Sequence, residues 1–321
     1  MQQPYRIELP TPFAVGSVNA YLFTEPEPVL VDCGIKSDEN WQALEAGLAE
    51  HGLAIADIKQ VVITHAHVDH AGSAKMIADV SGARVWVSDV AYPWIKDLSV
   101  LWPQRVQFMA AVLDKSSIPA PMVEGILDYF RHVQAIWDEV PEEYLVRFPI
   151  DGTLEMGGMT WQVVYAPGHA NTQTCFYQPQ TKQFLAADML LHRTPVPVIE
   201  PPLEGNERVP GLPQFLEMLD TLEGMDIGRV YPGHGEIMDN YREVIANQRA
   251  RISKRKQQCL ELIQGETHTL FDLMNIMYSH YPVQARLSGL GMLVGYLDLL
   301  LADGAVERRL EEEGWRFYAT G

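Results

Sequence analysis

The sequence predicts an α/β fold, because short β-branched and aromatic segments alternate with amphipathic ones along its first half. A second block of strand signals follows at residues 152–187. Polar residues rich in histidine come directly after several of the predicted strands, where α/β proteins commonly carry their functional groups. The length of 321 residues allows one large domain with a smaller appendage.

The elements of the first half follow from their local patterns. Strands are predicted at residues 5–9, 20–23, 29–32, 58–63 and 83–87, each an apolar β-branched or aromatic run. Helices are predicted at residues 38–51, where Ser37 or Asp38 is the expected N-cap, and at residues 73–80.

Residues 91–147 interrupt this alternation with a segment rich in Trp, Met, Leu and Phe and divided by prolines. The pattern predicts helices near residue 95 and over residues 104–114 and 120–138, as a helical insertion. Such an insertion either packs on the core or forms a lid or substrate pocket above a site, and both interpretations stay open at this point.

The rest of the first 237 residues returns to the α/β pattern. Strands are predicted within residues 152–165, where Gly157-Gly158 marks a hairpin turn, and at residues 173–177, 183–187 and 229–231. A helix is predicted over residues 212–222. We therefore expect one domain at residues 1–237 and a second at residues 238–321.

The segment 238–321 predicts three helices, over residues 238–264, 269–281 and 284–302, and a hairpin of residues 305–310 and 315–319. Helices followed by a two-stranded wing suggest a small winged-helix-like domain. Residues 241–321 hold ten Lys or Arg and ten Asp or Glu, and Glu311 to Glu313 occupy the wing. This balance favours a packing or homodimer role over nucleic-acid binding, which stays open.

Composition narrows the class of protein. The apolar fraction of 47% and the charged fraction of 21% are those of a globular protein. The net charge of −18 disfavours an extended polyanion as partner. No secretory signal and no apolar stretch of membrane-spanning length is evident, and three cysteines without a Cys-x-x-Cys motif suggest a reducing compartment. We expect a cytoplasmic protein without membrane contact.

Residues 64–70, Thr-His-Ala-His-Val-Asp-His, are the most informative segment of the chain. They follow the predicted strand that ends at Ile63 and precede Ala71-Gly72, so they should form a strand-to-helix loop. His65, His67, Asp69 and His70 offer imidazole and carboxylate groups, which suit zinc and also iron, nickel or manganese. This pattern predicts a metal site.

Three later strand ends supply further ligands. His169 and His234 each follow a Pro-Gly pair after an apolar run, and Asp188 follows Phe184 to Ala187. The glycines allow sharp turns and a close approach of the backbone to an ion. Seven nitrogen and oxygen ligands are too many for one tetrahedral zinc and suit two ions, with Asp188 and a hydroxide bridging them.

These motifs resemble those of the metallo-β-lactamase-fold hydrolase superfamily, and they run in the family's order over the first 240 residues. The resemblance implies a four-layer αβ/βα sandwich with the metals at one edge of two packed sheets. It implies one ion on His65, His67 and His169, a second on Asp69, His70 and His234, and Asp188 between them. Asp32 matches a family position that supports the ligands, and a simple turn residue is the alternative interpretation. His192, which lies close after Asp188 in the sequence, is a candidate substrate contact or a solvated loop histidine. The layout with a C-terminal winged-helix-like domain is similar to lactamase-β-like members, and glyoxalase II-like thioesterases belong to the same family.

The resemblance leaves several reactions open. The leading hypothesis is a dinuclear hydrolase that uses a metal-bridging hydroxide to cleave an ester, thioester or lactone of a small acyl-type substrate. Two Zn²⁺ ions, or Fe or Mn, are the expected cofactors, and Asp69 is the expected proton acceptor or shuttle. The alternative is a phosphodiesterase or endoribonuclease on the same metals, supported if a basic groove joins them to Arg251–Lys256. A non-catalytic binding protein on this fold is the third hypothesis.

Overall fold

A computed structural model describes residues 3–193, 201–203, 208–281 and 289–321. The first part of the chain forms a six-stranded sheet in the order β1-β2-β3-β4-β5-β6. Its strands are β1 (Tyr5–Leu9), β2 (Val18–Phe23), β3 (Val29–Val31), β4 (Gln60–Ile63), β5 (Arg84–Ser88) and β6 (Leu145–Phe148). The strands β3 to β6 pair in parallel, so their carboxyl ends lie at one edge. The helices between them are α1 (Asp38–Ala49), α2 (Val68–Ala71) and α3 (Ala74–Ser81), and the Ser37 side chain caps α1 as predicted.

The second sheet has five strands in the order β11-β10-β9-β8-β7. They are β7 (Thr153–Met156), β8 (Met159–Tyr165), β9 (Thr174–Gln178), β10 (Gln183–Ala187) and β11 (Arg229–Pro232). The predicted hairpin is present, because β7 and β8 pair antiparallel across Gly157-Gly158. The parallel pair β10 and β11 is connected through α7 (Gly211–Glu223).

The two sheets face each other, and the side chains of each strand point alternately to the core between the sheets and to the helices outside them. In β4, Val62 points into the core between the sheets, whereas Val61 and Ile63 point to the helices outside. In β10, Leu185 faces the same inner core, and its neighbour Phe184 faces the opposite helical layer. Because successive strand residues point to opposite faces, both sheets bury both faces. The result is the predicted four-layer helix-sheet-sheet-helix sandwich.

The segment predicted as an insertion contains α4 (Tyr92–Lys96), α5 (Leu98–Leu113) and α6 (Ala120–Val133). Helix α5 begins six residues earlier than predicted and carries Pro103 within it. Helix α6 ends at Val133, five residues before the predicted end. The last residues of the segment belong to β6, which pairs in parallel with β5, so the helices are inserted between two neighbouring strands of the main sheet.

The C-terminal part contains α8 (Tyr241–Gly265), β12 (His268–Thr269), α9 (Leu270–Met277), α10 (Leu290–Ala302) and the hairpin β13 (Val306–Glu311) and β14 (Gly314–Ala319). Its three strands form a sheet in the order β12-β14-β13. Part of the predicted helix over residues 284–302 lies outside the described residues. The winged-helix comparison and the domain boundary at residue 238 stay predictions.

The C-terminal helices pack directly on the second sheet's helical layer. Gly295 of α10 lies so close to Leu212 of α7 that a Cβ at this glycine would be 2.7 Å from the leucine Cβ. Apolar residues of α7, α8, α9 and α10 form one continuous core with the outer face of β9 and β10. Among the described residues, no helix combines the length and apolar character needed to cross a membrane.

Candidate metal centre

The loop that follows β4 carries four of the predicted ligands. Strand β4 ends at Ile63, and the short helix α2 starts at Val68, so His65 and His67 lie in the loop while Asp69 and His70 lie on the helix. His65 and His70 are fully buried, and His67 is partly exposed. Two hydrogen bonds from Thr174, through its backbone N–H (2.9 Å) and its hydroxyl (2.8 Å), hold the Thr64 carbonyl oxygen. This contact joins the loop of the first sheet to β9 of the second.

The other three ligands come from the second sheet. His169 follows β8, Asp188 follows β10 and His234 follows β11. Because β10 and β11 are parallel neighbours, Asp188 and His234 emerge at the same edge. All three side chains are buried.

The seven side chains converge in one cluster at the edge of the two sheets. His67 Nδ1 lies 3.0 Å from His65 Nε2 and 3.0 Å from His169 Nε2. His65, His67 and His169 therefore form one group whose ligand atoms lie within 4.8 Å of one another, and Asp69, His70 and His234 form a second such group. These are the two groups that the resemblance implied.

Asp188 lies between the two groups. Its Oδ1 is 3.5 Å from His70 Nε2, and its Oδ2 is 3.4 Å from His169 Nε2 and 3.5 Å from His234 Nε2. One oxygen thus approaches the second group while the other touches both. This is the arrangement that a bridging carboxylate requires.

Hydrogen bonds at Nδ1 direct the Nε2 atoms of three histidines into the cluster. His234 Nδ1–H donates to the Ser17 carbonyl oxygen (2.7 Å), and His70 Nδ1–H donates to Asp32 Oδ2 (2.8 Å). His65 Nδ1–H donates to the Thr64 hydroxyl (2.9 Å). Since the proton of each neutral ring is then on Nδ1, each Nε2 lone pair is available to a metal.

Asp32 organises this outer set of contacts. Its Oδ1 accepts the Thr64 backbone N–H (2.9 Å), and its Oδ2 accepts the Thr64 hydroxyl (2.8 Å) and His70. Asp32 has a φ of 60°, a left-handed conformation that aspartate tolerates better than most residues. One carboxylate therefore orients two ligands, His70 directly and His65 through Thr64.

The charges in the cluster shift its pKa values in opposite directions. Burial lowers the pKa of His65 well below its usual range and lowers the pKa of His169 to about 4. Burial also opposes the protonated form of His234, but the Asp188 carboxylate outweighs it and raises the pKa of His234 to about 10. Burial would raise the pKa of Asp69, yet His70 and His234 hold it at about 2. The Asp69 carboxylate is therefore ionised near neutral pH.

Two glycines make room for this geometry. Gly168, before His169, has a φ of 135°, and a Cβ there would lie 2.5 Å from the Phe215 Cα. Gly233, before His234, has no positive φ, but a Cβ there would lie 2.2 Å from Asp188 Oδ1 and 3.0 Å from His70 Cε1. Gly168 therefore provides the sharp turn predicted for the Pro-Gly motifs, and Gly233 provides the predicted close approach of the backbone to the site.

The donor set fits divalent metal ions. His70 Nε2, His234 Nε2 and Asp188 Oδ1 are buried and have no hydrogen-bond partner among the described residues. A buried polar atom without a hydrogen-bond partner lowers the stability of the folded state. These three atoms lie close together, beside the imidazole nitrogens of the first group. Cations between the groups would satisfy all of them, with ligand types that suit zinc, iron or manganese.

Two further residues complete the comparison with the sequence. His192 is exposed and lies outside the cluster, and its backbone carbonyl accepts a hydrogen bond from Arg251 (2.9 Å). Thr64 and the Ser17 carbonyl were not identified as functional from the sequence. Thr64 could have been, since it begins the histidine motif, whereas a carbonyl in a distant loop carries no sequence signal.

The sequence and the fold of this chain are similar to those of known proteins. A family model described as the metallo-beta-lactamase superfamily matches residues 14–234. The "Probable metallo-hydrolase YqjP" of Bacillus subtilis is 25% identical over 303 residues, which cover 94% of this chain and 92% of the relative. An "Atrochrysone carboxyl ACP thioesterase" of Aspergillus fumigatus is 21% identical, with 82% of this chain and 66% of the relative covered. A crystal structure of a metallo-beta-lactamase family protein from Thermus thermophilus has the same fold, with a TM-score of 0.81, 23% identity and 98% of each chain covered.

Proposed function

The chain belongs to the metallo-beta-lactamase superfamily, and we propose that it is a dinuclear metal-dependent hydrolase that cleaves an ester, thioester or lactone. The observation that carries the proposal is the cluster of buried ligand atoms without a hydrogen-bond partner on His70, His234 and Asp188, beside the group of His65, His67 and His169. Seven convergent ligand side chains whose family is named for hydrolases support a catalytic site more than a purely structural one. A binding protein without catalysis is therefore the less favoured function.

In this proposal His65, His67 and His169 hold one ion, Asp69, His70 and His234 hold the second, and Asp188 bridges them. Zn²⁺ suits the nitrogen-rich set best, and Fe or Mn is compatible with it. When bound, such ions supply Lewis acidity and lower the pKa of a coordinated water enough to provide a nucleophile near neutral pH.

The chain's own residues orient the proposed ligands and set their charge. Asp32 and Thr64 keep His70 and His65 oriented, so that the ligands are preorganised before substrate enters. The Asp69 carboxylate is ionised at neutral pH and sits at the less buried side of the cluster. A carboxylate with a pKa of about 2 is a weak base, so this pKa supports Asp69 as an ionised ligand and gives no support to the proton-accepting role predicted for it from the sequence.

A thioester is the acyl bond that the comparisons favour, because a relative named as an ACP thioesterase matches most of this chain. The insertion adds a second reason. Helices α5 and α6 carry Val106, Phe108, Met122 and Phe130, which are half-buried against the core. An insertion of this apolar character would suit an acyl group better than a phosphate chain.

The competing phosphodiesterase function finds less support. The basic cluster that would extend a nucleic-acid groove is partly engaged within the chain. Arg251 donates to the His192 carbonyl, Lys256 pairs with Asp303 (2.8 Å), and Arg255 donates to Gln258 (2.9 Å). Cleavage of phosphodiesters is therefore the less favoured function, and the hydrolysis screen tests it directly.

The test is a hydrolysis screen of metal-replete protein against thioester, ester, lactone, β-lactam and phosphodiester panels, combined with metal analysis. We expect close to two ions per chain, turnover of an acyl substrate, and loss of both in the double variant His67→Ala, Asp188→Ala. Metal content well below one ion per chain, or hydrolysis that survives in the double variant, would contradict the proposal. Turnover confined to phosphodiesters would replace it with the competing function.

A further inference from the structure

Asn19 is a buried polar residue in the middle of an apolar strand. Its exposed fraction is 1%, and its neighbours Val18 and Ala20 on β2 are fully buried. An amide withdrawn from water lowers the stability of the folded state unless its N–H groups find acceptors. The presence of Asn19 in this strand therefore indicates a specific set of hydrogen bonds, and these lead to the second sheet.

The hydrogen bonds of Asn19 end on the turn that carries His234. Asn19 Nδ2 donates to the Pro232 carbonyl (2.9 Å) and to the Gly235 carbonyl (2.8 Å). A carboxamide nitrogen has two N–H groups, which matches these two acceptors. The backbone N–H of Asn19 donates to the Gly233 carbonyl (2.7 Å). One residue of the first sheet thus binds the carbonyls on both sides of His234.

The imidazole of His234 is bound by the same segment of β2. Its Nδ1–H donates to the Ser17 carbonyl (2.7 Å), two residues before Asn19 in the chain. Residues 17–19 therefore contact each of the four residues 232–235. Ser17 sets the direction of the ring, and Asn19 sets the position of the backbone from which the ring extends. A ligand is held in a productive geometry only when both are fixed.

The turn needs this support because β11 is the edge strand of the second sheet. Two other side chains share the work. The Tyr21 hydroxyl donates to the Pro232 carbonyl (2.7 Å), and Arg6 donates to the Gly235 carbonyl (2.9 Å) from a partly exposed position. Asn19 differs from both, because it is buried and joins the two carbonyls through one side chain.

The Asn19 hydrogen bonds reach only one half of the metal centre. His234 belongs to the group of Asp69, His70 and His234, whereas the loops after β4 and β8 carry His65, His67 and His169. None of the Asn19 hydrogen bonds described above reaches that other group. Loss of the Asn19 side chain should therefore release His234 and leave the first group in place.

We propose that Asn19 is a positioning residue for His234, and that it determines the occupancy of the second ion's site independently of the first. This inference rests on the proposed two-ion site. Asn19 contacts neither the ions nor the substrate. It acts through the turn 232–235, which it holds to the first sheet.

The test is calorimetric titration of the metal-free full-length protein with Zn²⁺. For Asn19→Ala we expect the Kd of the second ion to rise by about 10- to 100-fold, the usual cost of losing an outer contact to a ligand. The Kd of the first ion should stay as in wild type. If Asn19→Ala does not fold, Asn19→Ser, which retains one hydroxyl donor, provides the same comparison.

The matched control is Gln183→Ala, which also removes a buried amide that holds β11. Gln183 Oε1 accepts the Tyr231 hydroxyl (2.9 Å), and Gln183 pairs with Arg229 at the opposite end of β10 and β11 from Asp188 and His234. Its loss should lower stability and leave both Kd values unchanged. A wild-type Kd for the second ion in Asn19→Ala would overturn the proposal, and so would equal weakening of both ions.

A measurement without metal separates this inference from the proposed function. In protein labelled with ¹⁵N-histidine, His234 Nδ1–H should give a resonance protected from exchange by the Ser17 carbonyl, and His234→Ala identifies it. We expect the protection to be lost in Asn19→Ala and kept in Gln183→Ala, even if no substrate is hydrolysed or only one ion binds. Protection that persists in Asn19→Ala, or is absent from wild type, rejects the positioning role even if hydrolysis is observed.

Discussion

Asp32 Oδ2 accepts hydrogen bonds from both His70 Nδ1 and the Thr64 hydroxyl, each at 2.8 Å. Through Thr64 the same oxygen also fixes His65, a ligand of the other group. One carboxylate outside the predicted ligand set therefore aligns both halves of the candidate metal centre.

We expect Asp32→Asn to lower metal affinity by about 10- to 100-fold, the usual cost of losing an outer contact to a ligand. An amide has one acceptor oxygen and would present a donor to either His70 or Thr64, so the alignment is lost. Titration of the apo-protein with Zn²⁺ against a chelating indicator measures the effect. Asp151→Asn, a change at an exposed residue, is the control. Wild-type affinity in Asp32→Asn would remove this role.

Gly233→Ala should disable the metal centre while leaving the fold in place. The added Cβ would lie 2.2 Å from Asp188 Oδ1 and 3.0 Å from His70 Cε1, so the Asp188 carboxylate must shift from its present position. We expect fewer than two ions per chain and a loss of activity of at least about 100-fold, since small misplacements at a site are costly. Metal analysis and circular dichroism check the two parts.

The matched control for that change is Gly265→Ala, where the new Cβ meets open space. It should keep full metal content and equal or slightly higher stability. A Gly233→Ala protein with two ions and normal turnover would show that Asp188 has room to adjust.

Metal binding should release protons at neutral pH. In the metal-free protein the pKa of His234 is about 10, and the carboxylates Asp188, Asp32 and Asp69 raise the pKa of His70 well above its usual range against the effect of burial. Both rings are then protonated at pH 7 and must lose a proton to bind a metal, whereas His65 and His169 are already neutral.

The apparent association constant for Zn²⁺ should therefore rise with pH from 6 to 9 and level off only above about 10. Below pH 4, protonation of His169 should weaken binding further. Calorimetry in two buffers of different ionisation enthalpy counts the protons released. An affinity that does not change between pH 6 and 9 is incompatible with protonated His234 and His70.

Gly314 allows the contact between the C-terminal hairpin and the loop that precedes α6. Its φ is 117°, and a Cβ would lie 2.7 Å from the Lys115 carbonyl oxygen and 2.9 Å from Ser117 Oγ. We expect Gly314→Ala to lower the free energy of unfolding by about 2–4 kcal/mol, from backbone strain and overpacking together.

Gly304→Ala is the control, because Gly304 also has a positive φ (69°) but no atom near its Cβ. It should cost only about 1–2 kcal/mol, the backbone part alone. Chemical denaturation of both variants measures the difference. Equal destabilisation would mean that the Lys115 contact contributes nothing to stability.

Much of the candidate site could be predicted from the sequence for a local reason. Each ligand-bearing segment follows an apolar strand, and the carboxyl ends of parallel neighbouring strands lie at one edge, which brings Asp188 and His234 together after β10 and β11. The meeting of the His65 loop with them depends on the packing of the two sheets. The turn between β7 and β8 was also readable, because Gly157-Gly158 is a strong hairpin signal. These features depend on a few neighbouring residues.

What could not be predicted depends on contacts between distant segments. The sequence pattern predicts residues 145–147 within the helical insertion, whereas they belong to β6, because Leu-Val-Arg-Phe is short and gains its strand form from pairing with β5. The double role of Asp32 requires the end of β3 to meet the end of β4. The contact of the Ser17 carbonyl with His234 joins loops that are more than 200 residues apart in the chain, which no local pattern encodes.

The packing of Gly295 against Leu212 has a practical consequence for handling the protein. The C-terminal helices cover a face of α7 that is otherwise apolar, including Phe215 and Leu219. A fragment ending near residue 237 would expose that face to water and should aggregate or be degraded on expression. Fusion partners and affinity tags are therefore better attached at a terminus than placed between α7 and α10.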